Sequence, residues 1–241
     1  MRRNQKKRLM NRHLILLFLM VAIMGVIVLS IYYSNSSQQT MITQSYYETE
    51  RTVTTNQPLI IIDAGHGGID PGSDSHGILE KDINLEIALK LQEVLHENGY
   101  SVLMTREDDN SLSLRERSDF ANEKEADLFI SLHQNCYAQD ASVHGIEVFY
   151  TPGKETYDDR LANCIQEALI SYTQAKDRHV REITNLLIIR ESNMSACLIE
   201  SAYLSNDTER ELIQTKDYQD KVVTGIIEGI ENFLNEQAKS S

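Results

Sequence analysis

Cysteine is scarce and unpaired in this chain of 241 residues: Cys136, Cys164 and Cys197 are odd in number, widely spaced and free of any Cys-x-x-Cys pair. Neither a disulfide framework nor a structural zinc knuckle is indicated, so the thiols are expected to pack as small buried hydrophobes. Positive charge is also short, with 23 Lys and Arg against 36 Asp and Glu and a net charge of −13. Six of the basic side chains (Arg2, Arg3, Lys6, Lys7, Arg8 and Arg12) crowd into the first twelve residues, which leaves the remainder more acidic still. A body without clustered Lys and Arg cannot neutralise phosphates, which argues against nucleic acid as a partner. No G-x-S-x-G elbow surrounds Ser73 or Ser131, so a serine hydrolase is disfavoured. The glycines around His66 lack the lysine spacing of a phosphate-cradling loop. Internal repeats and a second globular module are missing as well.

Long apolar runs are limited to one. Leu14 to Tyr33 is an uncharged stretch of twenty residues, enough as a helix to cross the ~30 Å hydrocarbon core of a bilayer. The basic residues before it place that end in the cytoplasm. No Ala-x-Ala cleavage site follows, so an uncleaved signal anchor is expected, the alternative being a cleaved secretory signal. Either way the rest of the chain lies outside the cytoplasmic membrane. The expected organisation is a cytoplasmic basic N-terminus (1–13), a transmembrane anchor (14–33), a linker rich in Ser, Thr, Asn and Gln (34–57) and one folded domain (58–241).

Within that domain, short apolar runs alternate with helical patterns. Strands are expected at Ile60–Asp63, Ser101–Thr105, Asp127–His133, Gly145–Thr151, Leu186–Ile189 and Ala196–Ile199, and helices at Asp82–Asn98, Leu114–Lys124, Thr156–Gln174 and Tyr218–Phe233. A short helix is expected after Asp207 as its N-cap. The alternation implies an α/β domain, doubly wound, whose mainly parallel central sheet carries helices on both faces.

Three of these strands run into a polar side chain that chemistry can use. The first leads to His66, another reaches His133, and a late one reaches Glu200; Glu80 stands in the loop before the first helix. The carboxyl ends of parallel strands lie on one edge, so residues far apart in sequence can converge there. Two imidazoles and a carboxylate form the ligand set of a catalytic zinc with one position left open. Glu200 is then a spare carboxylate suited to general base and acid work. Taken singly, each residue has a plainer explanation. A strand-end histidine is ordinary hydrogen-bonded scaffolding, and Glu80 is a solvated charge at a helix start. A carboxylate closing the run Cys197-Leu198-Ile199 is harder to dismiss, because burying it unpaired is costly. Asp63 is either a partner that orients a ligand histidine or a turn former. His76 and His144 are read as exposed loop histidines.

The pattern resembles the zinc-dependent N-acetylmuramoyl-L-alanine amidases of bacterial cell-wall turnover. The resemblance is carried by IIIDAGHGGIDPGS, GILEKDINLEIALKLQEVL, MTR with Asp109, Leu114 and Arg117, ANEKEADLFISLHQN, GIEVFY and CLIESAYLSND, in that order across roughly Leu59 to Asp207. It implies one zinc ion on His66, Glu80 and His133, Glu200 as the catalytic glutamate, and Asn135 as support for the site or the substrate. It implies peptidoglycan as substrate, and it leaves an activating protein partner open. The short connection from His133 to Gly145 suggests an open site, with the membrane anchor as its targeting device, as in amidases of the spore cortex. The pattern departs from the family at Gln134, Cys136, Ser195-Ala196 and Ser201-Ala202, none of them a ligand position. Two other readings stay open: a catalytically idle peptidoglycan-binding scaffold, and a zinc peptidase cutting within the stem peptide. Glu200 separates the first from an enzyme, since a binding module has little use for a carboxylate there.

Overall fold

The structure is a computed structural model and describes residues 57–240. The basic N-terminus, the anchor expected at 14–33 and the linker up to residue 56 lie outside the described residues. Among the described residues no helix is long and apolar enough to cross a membrane.

A sheet of six strands forms the middle of the domain. Its strands are β1 (Leu59–Ala64), β4 (Ser101–Met104), β5 (Leu128–Asn135), β6 (Ile146–Tyr150), β7 (Asp177–Glu182) and β8 (Ser195–Tyr203), in the spatial order β4-β1-β5-β8-β6-β7. The pairs β4-β1, β1-β5 and β5-β8 are parallel, β6 runs antiparallel to β8, and β7 runs parallel to β6. A two-stranded hairpin of β2 (Asp74–Ser75) and β3 (Ile78–Leu79) stands apart from this sheet.

The central strands are apolar on both faces because helices cover both. Ile60, Ile62, Ile130, Leu132, Cys197 and Ile199 face one cluster with α1 (Glu80–Glu97), α3 (Asp158–Thr173) and α6 (Lys216–Ser240). Their alternates Ile61, Phe129, Ala196 and Leu198 face a smaller one with α2 (Leu114–Glu123) and α4 (Leu187–Arg190). Between these helices in sequence order lies α5 (Asp207–Ile213), which precedes α6. The expected α/β domain with a mainly parallel sheet and helices on both faces is therefore present.

Several local expectations are corrected. Leu186–Ile189 is not a strand: Arg190 and Glu191 donate to the carbonyls of Leu186 and Leu187 in helical i to i−4 bonds, making α4. A short apolar run alone cannot distinguish a buried strand from a buried helical turn. Strand β7 was not expected, since its residues are mostly polar and exposed, as an edge strand allows. β8 extends to Tyr203, so Glu200 lies inside the strand and not at its end. Asn206 and not Asp207 caps α5, its side chain accepting from Glu209 N at 3.1 Å. Of the three thiols only Cys197 is buried; Cys164 is half-buried and Cys136 exposed.

β1 has β4 on one side and β5 on the other, and a chain that turns opposite ways from neighbouring strands leaves a crevice at their carboxyl ends. His66 follows β1 and His133 lies near the end of β5, so both flank that crevice.

Candidate active site

β1 delivers Asp63 and Ala64 fully buried, and the loop that follows turns sharply, with His66 itself at φ +62°. That left-handed conformation is strained for a side chain larger than glycine and persists where its surroundings hold it. Two buried arginines do so by gathering the loop carbonyls. Arg117 donates from Nη1 to Ala64 O at 2.7 Å and from Nη2 to His66 O at 2.6 Å. Arg106 donates to Ala64 O at 2.8 Å and to Gly65 O at 3.0 Å. Arg117 is itself delivered by α2, whose N-terminus is closed by a capping box between Ser113 and Glu116.

Asp63 supports this clamp and leaves the histidine rings alone. Its carboxylate accepts from Arg117 Nη1 at 2.8 Å, Thr105 Oγ1 at 2.6 Å and Ser131 Oγ at 2.7 Å. The carboxylate that bonds to a candidate ligand histidine is instead Asp70, which the sequence reading did not single out. Its Oδ2 lies 2.8 Å from His66 Nδ1, which leaves Nε2 facing Glu80. The i, i+4 spacing was visible in the sequence, but in a loop that spacing carries no helical meaning.

Glu80 is the first residue of α1, not a loop residue before it, and is nearly buried at 5% exposure. Its Oε1 lies 3.1 Å from His66 Nε2 and 3.0 Å from His133 Nδ1. The same Oε1 also accepts from Gln134 N at 3.1 Å and Asn84 Nδ2 at 3.4 Å, and Oε2 accepts from Ser73 N at 2.9 Å. Burial alone would raise its pKa, but the two histidines outweigh burial and hold the carboxyl far below the usual range. For His66 burial works against charge, yet Glu80 and Asp70 together shift its pKa upward. The two rings meet edge to face with centroids 4.8 Å apart. Gly65 makes room for this: a Cβ there would fall 2.3 Å from the His133 ring.

Two positions that depart from the family pattern turn out to be partners. Ser201 Oγ donates to Gln134 Oε1 at 2.9 Å, and Gln134 Nε2 donates to Asn84 Oδ1 at 3.3 Å. This buried chain ends on Glu80 through Asn84 and braces the carboxylate from behind.

Ligand atoms of His66, Glu80 and His133 all lie within 4.8 Å of one another. Ligands ~2.1 Å from a tetrahedral ion stand roughly 3.4 Å apart, close to the contacts of 3.1 and 3.0 Å made by Glu80. The donor set, the ionised carboxylate and the His66–Asp70 bond all fit a divalent metal.

Glu200 pairs in register with His133 on one side and with Glu147 of β6 on the other. The residue keeps partial exposure, yet its Oε2 is buried with no hydrogen-bond partner among the described residues. Burial pushes its carboxyl well above the usual range, and the negative charges of Glu80 and Glu147 push the same way. Such a group takes and returns a proton readily. Asn135 does not face the cluster of ligand atoms: it donates to Glu147 Oε1 at 3.0 Å and accepts from Cys136 N. His76 and His144 are exposed, as expected.

The sequence model of the N-acetylmuramoyl-L-alanine amidase family matches residues 60–232. The chain belongs to that family. This amidase is 33% identical over 193 residues to the germination-specific N-acetylmuramoyl-L-alanine amidase of Bacillus subtilis, covering 74% of this chain and 81% of the relative. It is 31% identical to the sporulation-specific amidase of the same organism, over 76% of this chain and 70% of that one. Among solved structures it resembles an N-acetylmuramoyl-L-alanine amidase from Clostridium difficile 630 with a TM-score of 0.73 and 35% identity, over 75% of this chain and 98% of the other. It also resembles the CwlD amidase of Clostridioides difficile, solved in complex with the GerS lipoprotein, with a TM-score of 0.71 and 34% identity, over 74% and 99%.

Proposed function

We propose that this amidase is zinc-dependent and hydrolyses the amide between the lactyl group of N-acetylmuramic acid and the L-alanine of the peptidoglycan stem peptide. The observation that carries the reading is the meeting of His66, Glu80 and His133 at the crevice, with Glu200 one strand away. A zinc ion bound there would supply Lewis-acid polarisation of the scissile carbonyl and a water of lowered pKa. His66, Glu80 and His133 would hold the ion, and Asp70, bonded to Nδ1 of His66, leaves its Nε2 available. Glu200 Oε2 has no competing hydrogen-bond partner among the described residues, so it takes the proton of the attacking water and passes it to the departing alanine nitrogen. The products are a muramic acid freed of its peptide and a peptide with a new L-alanine N-terminus.

The reading extends to place. The apolar run Leu14–Tyr33 tethers the domain outside the cytoplasmic membrane, with a secreted form after signal cleavage as the alternative. The spore cortex is the proposed substrate layer, supported by the likeness to germination- and sporulation-specific amidases. An accessory protein partner belongs to the same proposal, supported by the relative solved with a lipoprotein.

Mass spectrometry of digested muropeptides tests the reaction. Intact stem peptides bearing a new L-alanine N-terminus are expected. Shortened peptides would show a peptidase, and unchanged muropeptides would show an idle fold.

A further inference from the structure

A row of charged side chains crosses one face of the sheet beyond the metal ligands. It starts at His133 on β5 and passes in register through Glu200 on β8 and Glu147 on β6. From β7, Arg178 and Arg181 join it through side-chain contacts to Glu147, Arg181 itself pairing with Phe149 two residues further along β6. Nothing in the reaction described above uses its far end. Glu147 is buried at 3% exposure and is held from every side. Asn135 and the Tyr203 hydroxyl donate to its Oε1, Arg178 Nε lies 3.4 Å from that oxygen, and Arg181 Nη1 lies 3.5 Å from Oε2.

The two arginines are tethered there without being used up. Arg178 has its guanidinium 5.1 Å from the centroid of the Tyr203 ring, and its buried Nε has no hydrogen-bond partner among the described residues. Gly145 clears its path: at φ +115°, a Cβ would stand 3.0 Å from Arg178 Cγ and 2.4 Å from Lys176 O. Arg181 keeps 54% of its side chain exposed, and that side chain makes no hydrogen bond among the described residues, only the long ion pair with Glu147. Two guanidinium groups thus share one carboxylate.

The reaction fixes what reaches this end. Glu200 protonates the leaving nitrogen, and that nitrogen belongs to the peptide, so the peptide departs on the Glu200 side of the crevice. From β8 to β7 is two strand spacings, roughly 10 Å. An extended peptide covers about 3.4 Å per residue, and an arginine side chain reaching back over part of the gap meets the second residue. In stem peptides that residue is a γ-linked glutamate whose α-carboxylate is free or amidated.

We propose that Arg181, steadied with Arg178 by Glu147, forms a subsite that recognises the free α-carboxylate of the second stem-peptide residue. The planar fork of arginine suits a carboxylate and offers little to a neutral amide. The inference rests on the amidase reading. Because the contact is remote from the bond being broken, it acts on substrate binding and shows in KM and not in kcat.

The test compares two muramoyl tetrapeptides, one with a carboxylate and one with a carboxamide at the second residue, using the zinc-loaded protein. Wild type is expected to show a KM about tenfold lower for the carboxylate substrate, the scale of a charge-assisted hydrogen bond. Arg181→Gln, on an exposed side chain, is expected to bring the two KM values together, while Arg181→Lys keeps part of the difference. Equal KM values in wild type, or a preference that survives in Arg181→Gln, would overturn the subsite alone. Cleavage of neither substrate at the amide by wild type would overturn the amidase reading and the subsite with it.

Discussion

On the β1–α1 side of the crevice Glu80 takes three backbone and amide donors besides its two histidines, whereas across the sheet Glu200 Oε2 and Arg178 Nε are buried without a hydrogen-bond partner among the described residues. The first side is built to hold something still. On the proposed reading the second leaves Glu200 and Arg178 open to a group that arrives and leaves, although Ser73 Oγ on the first side also lacks a partner among the described residues. A buried polar atom without a partner costs about 1–3 kcal/mol, so leaving two in one neighbourhood is tolerated where a substrate or a travelling proton completes them. On the proposed reading, holding falls to the β1 loop, α1 and β5, and reacting to β8.

The difference can be broken first at the holding side. His133→Ala removes a ligand atom that no neighbour replaces, and elemental analysis is expected to find no stoichiometric zinc and no amidase turnover. A variant that kept full metal content would show that the cluster is scaffolding. Next in size is Arg117→Ala, which strands the buried Asp63 carboxylate and releases the carbonyls of Ala64 and His66. Breaking one partner of a buried ion pair costs about 3–5 kcal/mol, a fall in melting temperature of roughly 10 °C for a domain of this size. Calorimetry on the wild type and variant checks it.

How much of this was legible beforehand depends on how each residue announces itself. His66, His133 and Glu200 stand at or near the ends of hydrophobic runs, where a change from apolar to polar is visible one residue at a time. Their convergence followed from parallel strands sharing an edge. Asp63 was visible for the same reason, but its partner was not, since Arg117 reaches it across 54 positions from helix α2. Asp70, Asn84 and Glu147 carried no such sign: their roles arise from loop geometry, from a helix face and from the register of β6 against β8. Strand β7 stayed hidden because an exposed edge strand needs no apolar alternation.

Smaller effects sharpen the same contrast. Asp70→Asn keeps the size of the side chain while removing the carboxylate that fixes His66, and loss of such an orienting partner lowers metal affinity by about 10- to 100-fold. Competition with a chelator of known affinity measures the change; an unaltered affinity would move Asp70 out of the site. Smallest is Gln134→Ala, which leaves Asn84 Oδ1 and the Ser201 hydroxyl without their shared partner. The expected loss is about 1–3 kcal/mol, a few degrees in melting temperature, with the Gln134 backbone bond to Glu80 intact.

The separation of holding from reacting is tested most directly by Glu200→Gln, with metal content and muropeptide turnover measured on the same preparation. The expected result is one zinc per chain, as in wild type, with turnover reduced by ~10²- to 10⁴-fold, the scale of a lost general base. Turnover at the wild-type rate, or loss of zinc together with activity, would contradict it.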